Sequence, residues 1–244
     1  MRDCVVIGCG RSGTSLAAGL AERAGYHCGE DLLEADARNP KGFFEAGSMN
    51  ALNEALLAAH DDELLPGGYS RPLRDGERWL ALLPDDVRVE APAELLPAMR
   101  EAIPRSPYCC KDPRFGYTLD AWRPLFANAL FVCVFRHPLA TAASIAGEAR
   151  YGDLRVDEPT AIEIWTAIYR RVLDRYRHEG DWLFVHYEQL LDACALERLG
   201  CALGASLDPK FADRTLARSR ADGPARGSAG ETYDELCAAA SGAR

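Results

Sequence analysis

Residues 5–20 read VVIGCGRSGTSLAAGL. A short apolar run meets a glycine loop, and the loop runs into a helical pattern rich in alanine and leucine. No other stretch limits the fold as much. A buried strand that turns through glycines into a helix belongs in a parallel α/β sheet, and the helix start offers unpaired N–H groups to an anion. Gly8, Gly10 and Gly13 fit G-x-G-x-x-G, while Gly8 and Gly13 also fit the G-x-x-x-x-G frame of the phosphate-binding P-loop. Thr14 stands where the P-loop lysine belongs. Arg11, Ser12, Thr14 and Ser15 crowd side-chain donors into the same loop.

The pattern continues downstream. Residues 4–7 read as a strand, 13–25 as a helix closing at Gly25, and 46–60 as an amphipathic helix with Leu52, Leu56 and Leu57 on one face. YCCKDPRF is a short strand broken at Lys111-Asp112-Pro113, and ALFVCVFRHP is the clearest strand, ending at Arg136 and stopped by Pro138. Helical patterns follow at 139–149 and 159–178. WLFVHYEQLL reads as a strand entering a helix, and shorter helices fit 195–204 and 231–240. Residues 61–106, rich in Pro, Gly and charge, predict loops and short helices, a natural place for a specificity-determining insert. The end of the chain, 205–244, is polar and includes Arg214, Arg218, Arg220 and Arg226. No repeat or interdomain linker interrupts the 244 residues, which read as a single domain. Ligands of open parallel sheets bind beyond the carboxyl ends of the strands, so the 8–15 loop, Lys111, Arg136 and Tyr187 fall on one rim.

Composition narrows the classes. A formal net charge of -9 argues against a general nucleic-acid binder. No apolar run approaches the roughly 20 residues of a membrane span, and no signal-type segment opens the chain, which predicts a cytoplasmic protein without membrane insertion. The nine cysteines form no C-x-x-C, and Cys4, Cys9, Cys109, Cys110 and Cys133, in or beside apolar runs, read as small buried hydrophobes. Lysine occurs at 41, 111 and 210 alone among many arginines. Lys41 and Lys111 fall in motif-like stretches and point to sites that need a compact ammonium.

Three ligand classes compete for the loop. A dinucleotide wants an acid about 20 residues on, at the end of a second strand; Glu30 and Asp31 are near that distance, but GYHCGEDLLEAD makes no strand before them. A kinase using ATP and Mg²⁺ wants Lys-Ser/Thr at the loop end and an acid closing a later strand. Here the loop has Thr14-Ser15, and the strongest strand ends in arginine. The third class accounts for these departures. GCGRSGTSL resembles the 5′-phosphosulfate loop of sulfotransferases that use 3′-phosphoadenosine 5′-phosphosulfate (PAPS), with Arg11 as the basic residue ahead of Ser-Gly-Thr. FRHPLATAAS resembles the family's 3′-phosphate motif, an arginine at a strand end and a serine eight residues later, here Arg136 and Ser144. KDPRF resembles a Lys-Asp-Pro segment of the protein-tyrosine type, and VHYEQLL resembles the Tyr-Glu-x-Leu segment after a late strand.

The resemblance implies a three-layer α/β sandwich with a central parallel sheet and a P-loop-like strand–loop–helix. It implies in-line transfer of a sulfuryl group from PAPS to a hydroxyl of a small-molecule or carbohydrate acceptor, with no metal. Gly10, Arg11, Ser12, Gly13, Thr14 and Ser15 would hold the phosphosulfate, Arg136 and Ser144 the 3′-phosphate, and Tyr187 would lie near the adenine. Arg226, in a loose echo of the family's late basic segment, would reach the 3′-phosphate. Lys111 and Arg11 would stabilise charge on the leaving oxygen. Glu45, in NPKGFFE, is the candidate general base, as in members with a Gly-aromatic-Glu segment; its structural alternative is an acid favoured at a helix N-terminus. His60 is the other candidate base. The competing functions are a P-loop kinase and a non-catalytic nucleotide-binding protein.

Overall fold

The structure is a computed structural model and describes all residues except 38, 127, 148–152, 217–218 and 243–244. Arg218 and part of the predicted helix 139–149 lie outside the described residues. Four strands form one parallel sheet: β1 (Cys4–Ile7), β2 (Cys109–Lys111), β3 (Leu130–Phe135) and β4 (Asp181–His186), in the order β2-β1-β3-β4. Cys4 is paired with Cys109 on one side and Leu130 on the other, and Phe135 with His186. From β1 the chain moves to the β2 edge, then returns past β1 to β3. The loops after β1 and β3 therefore part at a topological switch point, where a parallel sheet opens a crevice.

Both faces of the inner strands are buried, so their sequences are continuous apolar runs rather than alternating ones. Side chains still divide by a period of two. Val5, Ile7, Phe131, Cys133 and Phe135 enter a large core with α2 (Gly47–Ala58), α4 (Phe115–Trp122), α5 (Pro138–Gly147), α6 (Glu158–Asp174) and α8 (Gly227–Ala240). Cys4, Val6, Leu130, Val132 and Val134 face a smaller core with α1 (Thr14–Arg23) and α7 (Ala193–Leu203). These layers are the predicted α/β sandwich.

The local departures have physical reasons. Helix α4 stands where the sequence suggested only a strand break, because Gly116 weakens the helical pattern. A Cβ there would sit 2.8 Å from Ile168 Cγ2, so the glycine permits α4 to approach α6. YEQLL is a 3₁₀ turn rather than an α-helix, closed by a capping box between His186 and Gln189. Helix α8 starts four residues before the predicted 231. Within 61–106 the chain makes two 3₁₀ turns and the short α3 (Leu96–Glu101). All nine cysteines are free, six of them buried. Burial pushes the Cys9 thiol up to about 12, so it is held as an inert thiol.

Candidate active site

The loop after β1 is fastened from below. Tyr169 of α6 donates its hydroxyl to the Val134 carbonyl of β3 at 2.6 Å and accepts from the Cys9 N–H at 3.2 Å. One phenol thus ties the glycine loop to the end of the neighbouring strand. Ser12 is fully buried, with its hydroxyl 3.3 Å from Thr141 on α5. The structure turns this predicted ligand residue inward, where its side chain anchors the loop. Gly13 precedes α1 with φ of 96°, and a Cβ there would lie 2.5 Å from the Tyr187 ring. Gly10 serves a different approach. A Cβ on it would lie 2.5 Å from the Trp79 ring, so this glycine makes room for the 61–106 segment.

Two clefts meet on this loop. The first, an open cleft of about 930 Å³, is lined by Arg11, Gly13, Thr14, Ser15, Arg136, Ser144 and Tyr187, all predicted site residues. Lys41, Phe211, Asp213, Leu216 and Ser219 are also on its lining. Arg11 Nε donates to Ser144 Oγ at 3.2 Å. The Arg136 guanidinium donates to the Ser219 carbonyl and lies 4.9 Å from the Tyr187 ring centroid, while Trp165 Nε1 holds the Arg136 carbonyl at 3.1 Å. Burial, with Arg11 adding to it, pulls Arg136 below the usual arginine range. Two guanidiniums facing one partly buried cleft repel each other, and Asp213 is the acid on the same lining. Lys41 donates to the Phe211 carbonyl, with its ammonium 4.8 Å from that ring's centroid.

The second cleft, about 1070 Å³, shares Arg11, Thr14, Ser15 and Asn39 with the first. Lys111, Glu45 and Asn50 lie along it, opposite Trp79 and Leu80. Lys111, only 4% exposed, donates to Glu45 Oε1, to Ser15 Oγ at 3.2 Å and to the Phe43 carbonyl at 3.4 Å. The ammonium thus bridges the first turn of α1 and the predicted base. Phe44 and Arg11 both hold positive φ, 57° and 69°, a conformation that non-glycine residues adopt at local energetic expense. Each sits within or beside the residues that converge here.

Behind this cleft runs a buried ionic network that the sequence did not announce. Glu54 accepts from Arg114 Nε at 2.5 Å and from Arg78 Nη1 at 2.9 Å, and Arg78 also reaches Asp61 at 2.7 Å. Arg78 is next to Trp79, so the network fixes the wall that rests on Gly10. Arg71 braces the same wall through Glu77 at 2.7 Å.

Two predicted residues are not brought here. The His60 ring pairs with Glu63 at 2.9 Å and lines neither cleft. Arg226 lines a separate groove with Leu65, Leu82 and Arg170, while Ser219 accepts from Arg136, and Arg214 and Arg220 line a groove beside it. Among the described residues no cluster of His, Cys, Asp and Glu suits a metal ion, and no helix is long and apolar enough to cross a membrane.

Comparison with known proteins gives the family and the fold. A sulfotransferase family model matches residues 4–197. The sulfotransferase domain of the Synechococcus PCC 7002 olefin synthase superposes with a TM-score of 0.54 at 19% identity, covering 96% of this chain and 94% of that one. The sulfotransferase domain of the curacin biosynthetic pathway gives 0.54 at 13% identity, covering 97% and 98%. At these identities the two structures speak for the fold. No curated protein sequence matches the chain significantly.

Proposed function

The chain belongs to the sulfotransferase family, and from that premise we propose that it transfers a sulfuryl group from PAPS to a hydroxyl of a small-molecule or carbohydrate acceptor. The observation that carries this reading is the meeting of two unlike clefts at the 10–15 loop. One is walled by cations that end on hydroxyls and backbone carbonyls, and the other holds a lysine–carboxylate pair at the junction.

The first cleft suits the donor. The start of α1, with Arg11, Thr14 and Ser15, would hold a phosphosulfate through N–H groups, hydroxyls and a guanidinium. Arg136 and Ser144 would take the 3′-phosphate, with Arg220 in place of Arg226 as the late cation. Tyr187 and Phe211 offer ring faces and edges for the adenine. When bound, PAPS supplies an activated sulfuryl group, and the chain's residues do the rest. Lys111 and Arg11 stabilise the negative charge that grows toward the 5′-phosphate. Glu45 accepts the acceptor's hydroxyl proton. Trp79 and Leu80 form the wall against which the acceptor packs, making 61–106 the acceptor-side insert of a single domain.

Calorimetry separates this reading from a kinase. Adenosine 3′,5′-bisphosphate should bind, and ATP–Mg²⁺ should bind far more weakly. Micromolar ATP–Mg²⁺ binding with none for the bisphosphate overturns the proposal. Transfer of ³⁵S from labelled PAPS to a panel of alcohols and sugars then tests catalysis; retained binding without transfer would favour a non-catalytic nucleotide-binding protein.

A further inference from the structure

Glu45 is held by more than Lys111. Asn50, on the first turn of α2, donates Nδ2 to Glu45 Oε2 at 3.1 Å and to Asp112 Oδ2 at 2.7 Å. An amide nitrogen carries two N–H groups, one for each carboxylate. Asp112 is 1% exposed and receives three further bonds: Asn53 Nδ2 at 2.9 Å, the Arg114 backbone N–H at 2.8 Å and Arg114 Nη1 at 3.0 Å. Four donors saturate its oxygens, so Asp112 is a fixed post. Asn50 hangs from that post and reaches the cleft, whereas Asp112 does not line it.

Resting on the reading of Glu45 as general base, we propose that Asn50 is its positioning residue, clamping Oε2 so that the carboxylate keeps one orientation beside Lys111. The clamp does two things. It removes rotation of a side chain that must meet a hydroxyl within hydrogen-bond reach. It also places a neutral N–H donor between Glu45 and the nearby Asp112. The charged groups around Glu45 come from every side: Lys111 from β2, Asp112 and Arg114 from the turn after it, Arg11 from the first loop, Glu34 and Asp36 from the 29–37 segment, and Glu77 from the wall. Asn50 is the neutral donor that separates the two nearest carboxylates.

The test is the pH dependence of turnover in Asn50→Ala. Losing a donor to a carboxylate makes protonation easier, so the acid limb of the kcat profile should move to higher pH. At its own optimum kcat should fall about 10- to 100-fold, with acceptor KM and bisphosphate affinity nearly unchanged. Asn50→Gln, which keeps the amide, should recover part of kcat, and Asn50→Ser serves where the alanine variant fails to fold. Asn53→Ala, which loses a bond to Asp112 but none to Glu45, should lower the melting temperature without moving the acid limb. An unmoved limb in Asn50→Ala overturns the assignment, as does an equal shift in Asn53→Ala. A crystal structure of Asn50→Ala gives a readout without turnover: Glu45 should leave its present orientation, and a Glu45 in place overturns the proposal. Wild-type protein without transfer refutes the sulfotransferase reading instead, leaving the crystallographic result to decide on Asn50.

Discussion

The two clefts hold their cations differently. In the first cleft Arg136 and Lys41 donate to backbone carbonyls, and the acid on its lining is Asp213, which Lys41 helps hold below the usual carboxylate range. On the acceptor side Lys111, Arg114 and Arg78 are matched with Glu45, Asp112, Glu54 and Asp61. The first arrangement suits an anion from outside. The second is already neutralised, so it shapes and orients instead. Buried pairs of this kind add little net stability, but breaking one leaves a charge stranded. The contrast predicts that donor-side substitutions show up in ligand affinity and acceptor-side ones in turnover and stability.

The largest expected effect is at the junction, where both arrangements meet. Lys111→Ala removes a charge-stabilising group and strands Glu45; kcat should fall about 10²- to 10³-fold or more, measured by transfer from labelled PAPS. Glu45→Gln should lower kcat by about 10²-fold or more while bisphosphate affinity stays near wild type. Beside the second cleft, Glu54→Gln takes one carboxylate from Arg114 and Arg78, which keep Asp112 and Asp61, and should destabilise the fold by about 2 kcal/mol, read by denaturant melts. Wholly within the donor side, Arg136→Ala should weaken bisphosphate binding roughly 10- to 100-fold with little change in melting temperature. Unchanged affinity there would erase the contrast. The smallest effect is acid sensitivity. Arg71 holds Asp153, down at about 2, and Glu77 below their usual carboxylate ranges. Groups lowered in the folded state stabilise it above the unfolded value and lose that contribution as pH falls through the folded one. Melting temperature should therefore decline between about pH 4 and pH 2.

The lining of the first cleft was legible in the sequence because its parts are local. A strand end, a turn and a helix start keep fixed spacings, so Arg11 to Ser15 and Arg136 with Ser144 could be read as units. Ser12 shows the limit of that reading, since spacing does not say which loop side chain turns inward. The acceptor side depends on pairings across long stretches of chain. Asn50 meets Asp112 62 residues away, and Glu54 meets Arg114 60 residues away. An asparagine on an amphipathic helix gives no local sign of such a partner. The place of Arg226 was misread for a similar reason: it stood in a motif-like stretch, but the chain brings Arg214, Ser219 and Arg220 beside Arg136 and takes Arg226 to another groove.

The ring of Trp79 against Gly10 has a practical consequence. Of the four tryptophans, Trp122 and Trp165 are sealed in the core and Trp182 stacks on Phe131. Trp79 alone touches the loop on which both substrates would converge. The protein thus carries its own fluorophore at the junction. Emission from Trp79, isolated by comparison with Trp79→Phe, should report occupancy of either cleft in unlabelled protein and time the order in which they fill.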